Sequence, residues 1–310
     1  MANVTASMVK DLRDKTGAGM MDCKAALVET NGDVEAAVDW LRKKGLSKAA
    51  KKASRVAAEG LIGVAVGEDS GALVEVNAET DFVARNDHFK EFVTRVAEVA
   101  REVGGDVEKL HETPLNRGEP KVKDAVTEMV AKIGENIAVR RAVALSVTPG
   151  VVIAYVHNAA DGSKEHGRIG VLVGLRSTAD KAKLQALGRQ IAMHIAFAAP
   201  LALVPEHLPA DLVERERNVQ RDMARQSGKP ENVIEKMIEG RMRKFYEETV
   251  LLSQIFAIDN ETPISKVLEK ASKELGAPVE IAGYYRFAVG EGIEKIESDF
   301  ADEVKQMAGR

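Results

Sequence analysis

The sequence has a single cysteine and no long run of apolar residues. Cys23 has no second cysteine to pair with, so no internal disulfide can stabilise the fold, and its helical surroundings indicate an inert buried thiol. No apolar stretch approaches the ~18 residues that a membrane-spanning helix requires, and the first residues lack the basic-then-apolar pattern of a secretion signal. We therefore expect a cytoplasmic protein with no membrane partner.

An excess of basic charge is also absent. The chain carries 44 Lys and Arg against 48 Asp and Glu, a formal net charge of −4. No global positive field favours nucleic acid or an acidic membrane surface, so we expect no direct nucleic-acid binding. With 310 residues, 45% of them hydrophobic and 30% charged, the chain is long enough for two or three domains with real cores.

Motifs that carry catalytic chemistry are missing too. The six histidines form no HExxH or similar metal spacing, and one cysteine cannot build a thiolate zinc cluster. The glycine pairs Gly17-x-Gly19 and Gly290-x-Gly292 lack the third glycine of a dinucleotide loop, and no GxxxxGK[ST] occurs. We expect no catalytic residue, no metal and no cofactor. His194 lies in an apolar run and is predicted to be a hydrogen-bonded core or interface histidine.

A small helical bundle is predicted at the start of the chain. Thr5 can cap a first helix, a second starts near Met20, and a third starts at Asp33 and presents an apolar face. Lysines and one arginine then crowd into the segment up to Arg55, which we interpret as an exposed basic tether, with a phosphate-binding patch as the less favoured alternative. Residues 1–55 would be the first domain.

Two β-hairpins, each followed by an amphipathic helix, indicate a repeated α+β unit. The predicted strands are 60–66, 72–77 and 137–147 in the first half, and 151–157, 168–175 and 279–289 in the second. This order predicts an α+β fold with two related halves, 56–148 and 149–310, each an antiparallel sheet covered by helices. A closing helix is predicted over 294–308.

A densely charged segment, 211–249, interrupts the second half. Apolar residues recur in it at roughly helical spacing on both sides of a break near Gly228: Leu212, Val219, Met223, Val233, Met237, Met242 and Phe245. A thin apolar stripe between charged faces predicts an antiparallel coiled-coil hairpin that projects from the core. An ordinary packed pair of helices is the alternative.

The segment Thr80 to Asn86 places a large apolar ring, Phe82, in a polar connection between a strand and a helix. Asp87 is a plausible N-cap for that helix, in which Phe89 and Phe92 begin an apolar face. Two interpretations fit Phe82. It is either held outward as a docking residue, or it packs back on its own helix as a hydrophobic staple.

Residues 75–84, Glu-Val-Asn-Ala-Glu-Thr-Asp-Phe-Val-Ala, closely resemble the signature of the bacterial elongation factor Ts family. Four further segments resemble the same family in the same order: 16–27, 131–137, 227–230 and 289–295. Together they span nearly the whole chain. The resemblance implies a bundle of the ubiquitin-associated type at the N-terminus and a coiled-coil insertion at 211–249.

The resemblance also implies a function. Members of this family are guanine-nucleotide exchange factors that act by contact on the GTPase elongation factor Tu, without covalent chemistry. In the family the Asp-Phe tip, here Asp81 and Phe82, enters the GTPase domain beside the helices under the switch region and disturbs Mg²⁺ and phosphate binding. A hydrolase or transferase built around Glu165 and His166 is the alternative, which the lack of a triad or metal set disfavours.

Further partner contacts are implied by matching family motifs. In the first part of the chain they fall on Met20, Met21, Lys24, Ile133 and Gly134; in the second, on His157, with the stretch Ala257 and Ile258 as additional docking surface or core. A polar insertion at 158–165 makes His166 an alternative match to His157. The surroundings of Phe300 and Val304 are open to the same two interpretations, docking or core, and the coiled-coil arm could mediate self-association.

Overall fold

The structure, a computed structural model, describes residues 4–16, 18–159, 162–226 and 230–294. The closing helix predicted over 294–308 lies outside these ranges except for its first residue, and so do Phe300, Val304 and the break at 227–229. In the ranges described, no helix combines the length and the apolar character needed to cross a membrane.

Three helices form the N-terminal bundle: α1 (Ala6–Thr16), α2 (Met20–Glu29) and α3 (Val34–Lys52). Thr5 caps α1 as predicted, because its hydroxyl accepts a hydrogen bond from Met8 N–H, and Asp33 caps α3 by accepting from Ala36 N–H at 3.0 Å. Cys23 is fully buried in the small bundle core, as expected.

The predicted basic tether is wrong for most of its length, because α3 continues to Lys52. Ala and Lys are strong helix formers, and their abundance here favours helix over linker. Gly45 is buried, and a Cβ on it would lie 3.3 Å from Ala131 Cβ. Ala49, one turn further along, packs against the core of the first half. Small residues four apart therefore let α3 lie close against another helix, while Lys43 and Lys51 face solvent.

The remainder of the chain forms two α+β halves. The first contains β1 (Glu59–Val66), β2 (Ser70–Ala78), α4 (Asp81–Ala84), α5 (Asp87–Glu102), α6 (Val107–Glu112), α7 (Val122–Ile133) and β3 (Ile137–Ser146). The second contains β4 (Gly150–His157), β5 (His166–Gly167), β6 (Ile169–Arg176), α8 (Lys181–Ala198), α9 (Ala210–Arg225), α10 (Glu231–Thr249), α11 (Ile264–Leu275) and β7 (Glu280–Ala288). The six strands predicted from sequence are confirmed, and β5 was not predicted as a separate strand.

Each half has an antiparallel sheet. The strand orders are β3-β2-β1-β5 and β4-β6-β7. Strand β5 comes from the segment between β4 and β6, yet it pairs with β1 of the first half, so the second half completes the first sheet.

The two sheets pack face to face, with helices on their outer faces. Side chains alternate along β1, so that Leu61 contacts the helix side and Ile62 the other sheet. Gly170 permits the close approach of the sheets, because a Cβ on it would lie 2.6 Å from Ile62 Cγ2. The predicted α+β class with antiparallel sheets is confirmed.

A buried carboxylate lies on the face of β2 that meets the second sheet. Glu75 is fully buried and accepts hydrogen bonds from Arg140 at 3.1 Å, from Arg141 and from Gly290 N–H at 2.8 Å. Burial alone would raise the pKa of this carboxyl. The bonds from Gly290, Asn77 and Arg141 together outweigh burial, so the pKa of Glu75 lies below its ordinary value.

Helices α9 and α10 pack along each other, and part of the predicted apolar stripe lies in their contact. Met242 is buried there, and Met237 and Phe245 pack against it, as predicted. Ala224, Ile234 and Ile238 are also buried in this contact, whereas Val219 and Met223, which belong to the predicted stripe, are 47% and 52% exposed. Large apolar side chains in the sequence do not by themselves identify the contact. In the structure the contact uses the small Ala224, and Arg241 donates to Gln220 across the seam at 3.0 Å.

Candidate partner-binding surface

The tip, Asp81 and Phe82, is the most exposed apolar feature of the first half. Phe82 is 75% exposed, while the next two residues of α4, Val83 and Ala84, are buried in the core. The base of this short helix is therefore anchored and the ring faces solvent, so the staple interpretation of Phe82 is wrong. Asp81 forms an ion pair with Arg85 at 2.9 Å, one turn further on.

The helix after the tip begins differently from the prediction. Asn86, not Asp87, caps α5, because Asn86 Oδ1 accepts hydrogen bonds from the N–H groups of His88 and Phe89 at 3.0 and 3.2 Å. Phe89 and Phe92 are buried as predicted. The tip is thus held between the end of β2 and a well-capped helix.

The loop after α7, residues 134–136, contacts the residue that precedes the tip. Glu135 accepts hydrogen bonds from the N–H and the hydroxyl of Thr80, the residue before the tip, at 2.9 and 2.7 Å. Gly134 ends α7 with a left-handed φ of +85°, which favours glycine. The structure therefore joins the loop that begins at Gly134, directly after Ile133, to the residue that precedes the tip.

The contact residues predicted on α2 are connected to this loop through α3. Met20 and Met21 are exposed, as is Lys24. On the same helix, Asp22 pairs with Lys48 at 2.7 Å and with Lys44 at 3.0 Å, and the pKa of its carboxyl is lowered chiefly by the hydrogen bond from Lys48. Further along α3, Lys52 Nζ donates to the carbonyl of Gly134. This set of contacts joins the bundle to the tip region.

The two candidate histidines occupy different environments. His157 is exposed at the end of β4, with its Nδ1 3.1 Å from the hydroxyl of Tyr155. His166 is buried in β5, where its Nδ1 lies 3.4 Å from the Thr94 hydroxyl and 3.3 Å from that of Ser163. Only His157 is at a surface that a partner protein can reach, which favours it over His166 as a contact residue.

A second exposed apolar surface lies on the other half, around the predicted residues Ala257 and Ile258. We define it by its exposed large side chains: Met193, Phe197, Leu201, Ile255 and Ile258. Ile258 is exposed and Ala257 half-buried. Phe197, at 84%, is more exposed than the tip phenylalanine.

Phe197 is not among the contact residues predicted from the sequence, although its helical spacing indicates its exposure. The buried positions of α8 include Leu184, Ile191 and Ile195. Phe197 follows Ile195 by two residues, which places it on the opposite side of the helix. An apolar ring off the buried stripe is the pattern that would have identified it.

His194 of α8 links this helix to the segment 254–257 of the second surface by two hydrogen bonds. It is buried, its Nδ1 accepts from Ala257 N–H at 3.2 Å, and its Nε2 lies 2.9 Å from Gln254 Oε1. The acceptor role of Nδ1 places the ring proton on Nε2, so the neutral imidazole is held in one tautomer. Burial lowers the pKa of His194, partly offset by the bond to Gln254. The prediction of a hydrogen-bonded core or interface histidine is confirmed.

In the part of the chain described, no group of three or more His, Cys, Asp or Glu side chains is placed to hold a metal ion. At the alternative site, His166 is buried, with its Nδ1 near the hydroxyls of Thr94 and Ser163, whereas Glu165 is exposed. Exposed phenylalanines on anchored elements are instead typical of protein interfaces.

Comparison with known proteins agrees with this description. A family model described as "Elongation factor TS" matches residues 79–291. Elongation factor Ts of Rhodospirillum centenum is 58% identical over 309 residues, which cover 100% of both chains. Elongation factor Ts of Parvibaculum lavamentivorans is 58% identical over 308 residues, 99% of each chain, and that of Rhodospirillum rubrum is 58% identical over 305 residues, 98% of each.

The matches extend beyond the five segments that carried the resemblance. The family match includes the tip, the loop after α7 and the second surface, and the full-length relatives also cover the bundle. An identity of 58% over the whole length leaves no room for a chance likeness, and the chain belongs to the elongation factor Ts family.

Proposed function

We propose that this protein accelerates GDP release from elongation factor Tu by inserting the tip, Asp81 and Phe82, beside the Mg²⁺ and phosphate site of the GTPase. Its family membership supplies the general role: a nucleotide exchange factor in translation elongation, which acts by contact and not as a catalyst of a chemical reaction. The wedge mechanism and the residues that carry it are the proposal.

The mechanism follows from how a GTPase holds GDP. The phosphates lie in a cradle of backbone N–H groups, and Mg²⁺ requires near-ideal octahedral geometry. A small displacement of that cradle therefore weakens the binding of both the phosphates and Mg²⁺. A side chain that fills a slot beside the site therefore speeds GDP loss without any covalent step.

Reciprocity makes the cycle turn over. If the bound factor weakens GDP binding, bound nucleotide must weaken factor binding by the same ratio. Entry of GTP then releases the factor, which can act on another GTPase molecule. Substoichiometric action is the result.

The observation that carries the proposal is the exposed ring of Phe82 on a helix whose next two residues are buried. The backbone of an unanchored surface phenylalanine would lose freedom on insertion, whereas the backbone at Phe82 is already fixed by the two buried residues that follow it. Ile133 and Gly134, at the start of the loop that binds Thr80, would contact the same domain of the GTPase, together with Met20, Met21 and Lys24 on the bundle.

The second surface is proposed to bind another part of the same GTPase. Phe197 and Ile258 expose apolar area that a monomeric protein does not need, and His157 lies on the same half of the chain. Contact at two separated surfaces would fix the direction in which the tip enters. We place the protein in the cytoplasm, where translation occurs.

The test is release of fluorescent GDP from purified elongation factor Tu at substoichiometric concentrations of this chain. We expect faster release with no consumption of the factor, and a complex with nucleotide-free elongation factor Tu that GDP dissociates. Absence of acceleration would refute the proposal. Turnover of small ester or phosphoester substrates by the chain alone would support the hydrolase or transferase instead, and sizing of the chain alone tests self-association through the arm.

A further inference from the structure

The direction of the tip depends on a residue that lies far from it in sequence. Thr80 is the N-cap residue of α4, but its side chain makes no capping hydrogen bond to the helix. Its hydroxyl instead donates to Glu135 Oε1 at 2.7 Å and its N–H donates to Glu135 Oε2 at 2.9 Å. One carboxylate, 55 residues away, binds both polar groups of the residue that starts the tip helix.

A second carboxylate makes the reciprocal connection. Glu79, next to Thr80, accepts from Asn136 N–H at 2.6 Å through Oε1 and pairs with Arg55 at 3.3 Å through Oε2. Asn136 Nδ2 in turn donates to the carbonyl of Arg55 at 2.8 Å. Glu79 and Thr80, before the tip, are therefore bound to Glu135 and Asn136, after α7: the Glu135 carboxylate binds Thr80 and the Glu79 carboxylate binds Asn136. The negative charge of each carboxylate strengthens these hydrogen bonds.

The tip has little else to fix its direction. Helix α4 has 4 residues, too few to be stable alone, and three quarters of the Phe82 side chain is exposed, so packing does little to set its angle. Val83 and Ala84 hold the C-terminal end of α4 in the core. The bonds from Thr80 to Glu135 hold the N-terminal end, so that the two ends together define where the ring of Phe82 points.

We propose that Glu135 is a positioning residue for nucleotide exchange: it acts through Thr80 on Phe82 and itself need not touch the GTPase. This inference rests on the proposed function. Because small misplacement of an aligned group can cost one or two orders of magnitude in rate, loss of the Glu135 carboxylate should reduce the maximal rate of catalysed GDP release roughly tenfold or more.

The experiment compares single variants of the full chain at saturating factor. Glu135→Ala removes both bonds and should give the full loss, while Glu135→Gln keeps one carbonyl oxygen as acceptor and should fall in between. Thr80→Val removes only the hydroxyl bond and should lower the rate, whereas Thr80→Ser keeps this bond and should retain nearly all activity. Glu128→Ala, an exposed change of the same charge on α7, is the matched control and should leave the rate unchanged.

A double variant separates positioning from a general structural role. If Glu135 acts through Phe82, adding Glu135→Ala to Phe82→Ala should slow release by less than about twofold further, because the group being positioned is already gone. Multiplicative defects would overturn the proposal. A large drop in melting temperature with normal exchange per folded molecule would overturn it as well.

Failure of this inference and failure of the proposed function give different results. If the unaltered chain does not accelerate GDP release, the proposed function is wrong and this inference falls with it. If the unaltered chain accelerates release and Phe82→Ala slows it, but Glu135→Ala does not, only the positioning role is wrong.

Discussion

Replacement of Phe82 by alanine tests the wedge directly. In the free chain three quarters of this side chain is exposed, so truncation should change the free energy of unfolding by no more than ~0.5 kcal/mol. In the complex that exposed part would be buried. Full burial of a Phe side chain is worth ~1.5–3 kcal/mol, so burial of three quarters is worth ~1.1–2.3 kcal/mol. At ~1.4 kcal/mol for each factor of ten, catalysed GDP release at limiting factor should slow roughly 6- to 40-fold.

Two other phenylalanines provide the controls for this assay, which combines release of fluorescent GDP with thermal unfolding. Phe92 of α5 is buried in the core of the first half, so Phe92→Ala should cost ~3–5 kcal/mol of stability. Phe197→Ala on the second surface should raise the concentration of factor needed for half-maximal exchange more than it lowers the maximum. If Phe82→Ala lowers the melting temperature while exchange per folded molecule stays normal, Phe82 supports the fold and the wedge reasoning is refuted.

Three further predictions concern the rest of the molecule. Replacing residues 214–244 of the helical hairpin with a short Gly/Ser loop should leave a folded chain that still accelerates GDP release, and circular dichroism showing an unfolded product would contradict this. Gly45→Leu should push α3 away from α7 and destabilise the chain by ~1–3 kcal/mol, whereas Ala50→Leu at an exposed position of the same helix should not; denaturant titration measures both. Stability should fall in two steps on acidification, measured by unfolding across pH. His194 binds a proton more readily in the unfolded chain, so its contribution to the free energy of unfolding is complete above about pH 6.5 and is lost as the pH falls below that value. His194→Phe should remove this step. The pKa of Glu75 is also lowered, so its contribution to the free energy of unfolding is complete above about pH 4.5 and is lost as the pH falls below that value.

The elements that could be predicted from sequence are those determined by local pattern. Alternating apolar residues and turn residues identified six strands, because period-two patterning and turn chemistry are both short-range signals. The caps at Thr5 and Asp33 followed from side chains adjacent to the helix they start. The exposed position of Phe82 was one of two interpretations, and only its surroundings in space could decide between them.

The features that could not be predicted from the sequence depend on contacts between residues that are distant along the chain. Glu135 and Thr80 are 55 residues apart, and Glu75 and Gly290 are 215 apart. No local pattern in a single sequence identifies such partners. The packed length of α3 was missed for a related reason: a row of lysines with interspersed small residues fits a linker until the helix that Gly45 and Ala49 contact is known.

The packing of α3 also changes how the bundle should act in exchange. A flexible tether would let the bundle raise the local concentration of the tip while contributing nothing to its geometry. Instead, α3 lies against α7, Lys52 contacts Gly134, and Arg55 contacts Glu79 beside the tip. Docking of α2 on the GTPase would therefore be transmitted through α3 to the same loop that orients Phe82. Because rigid connections lose no entropy when both ends bind, the bundle should contribute to the maximal exchange rate as well as to affinity.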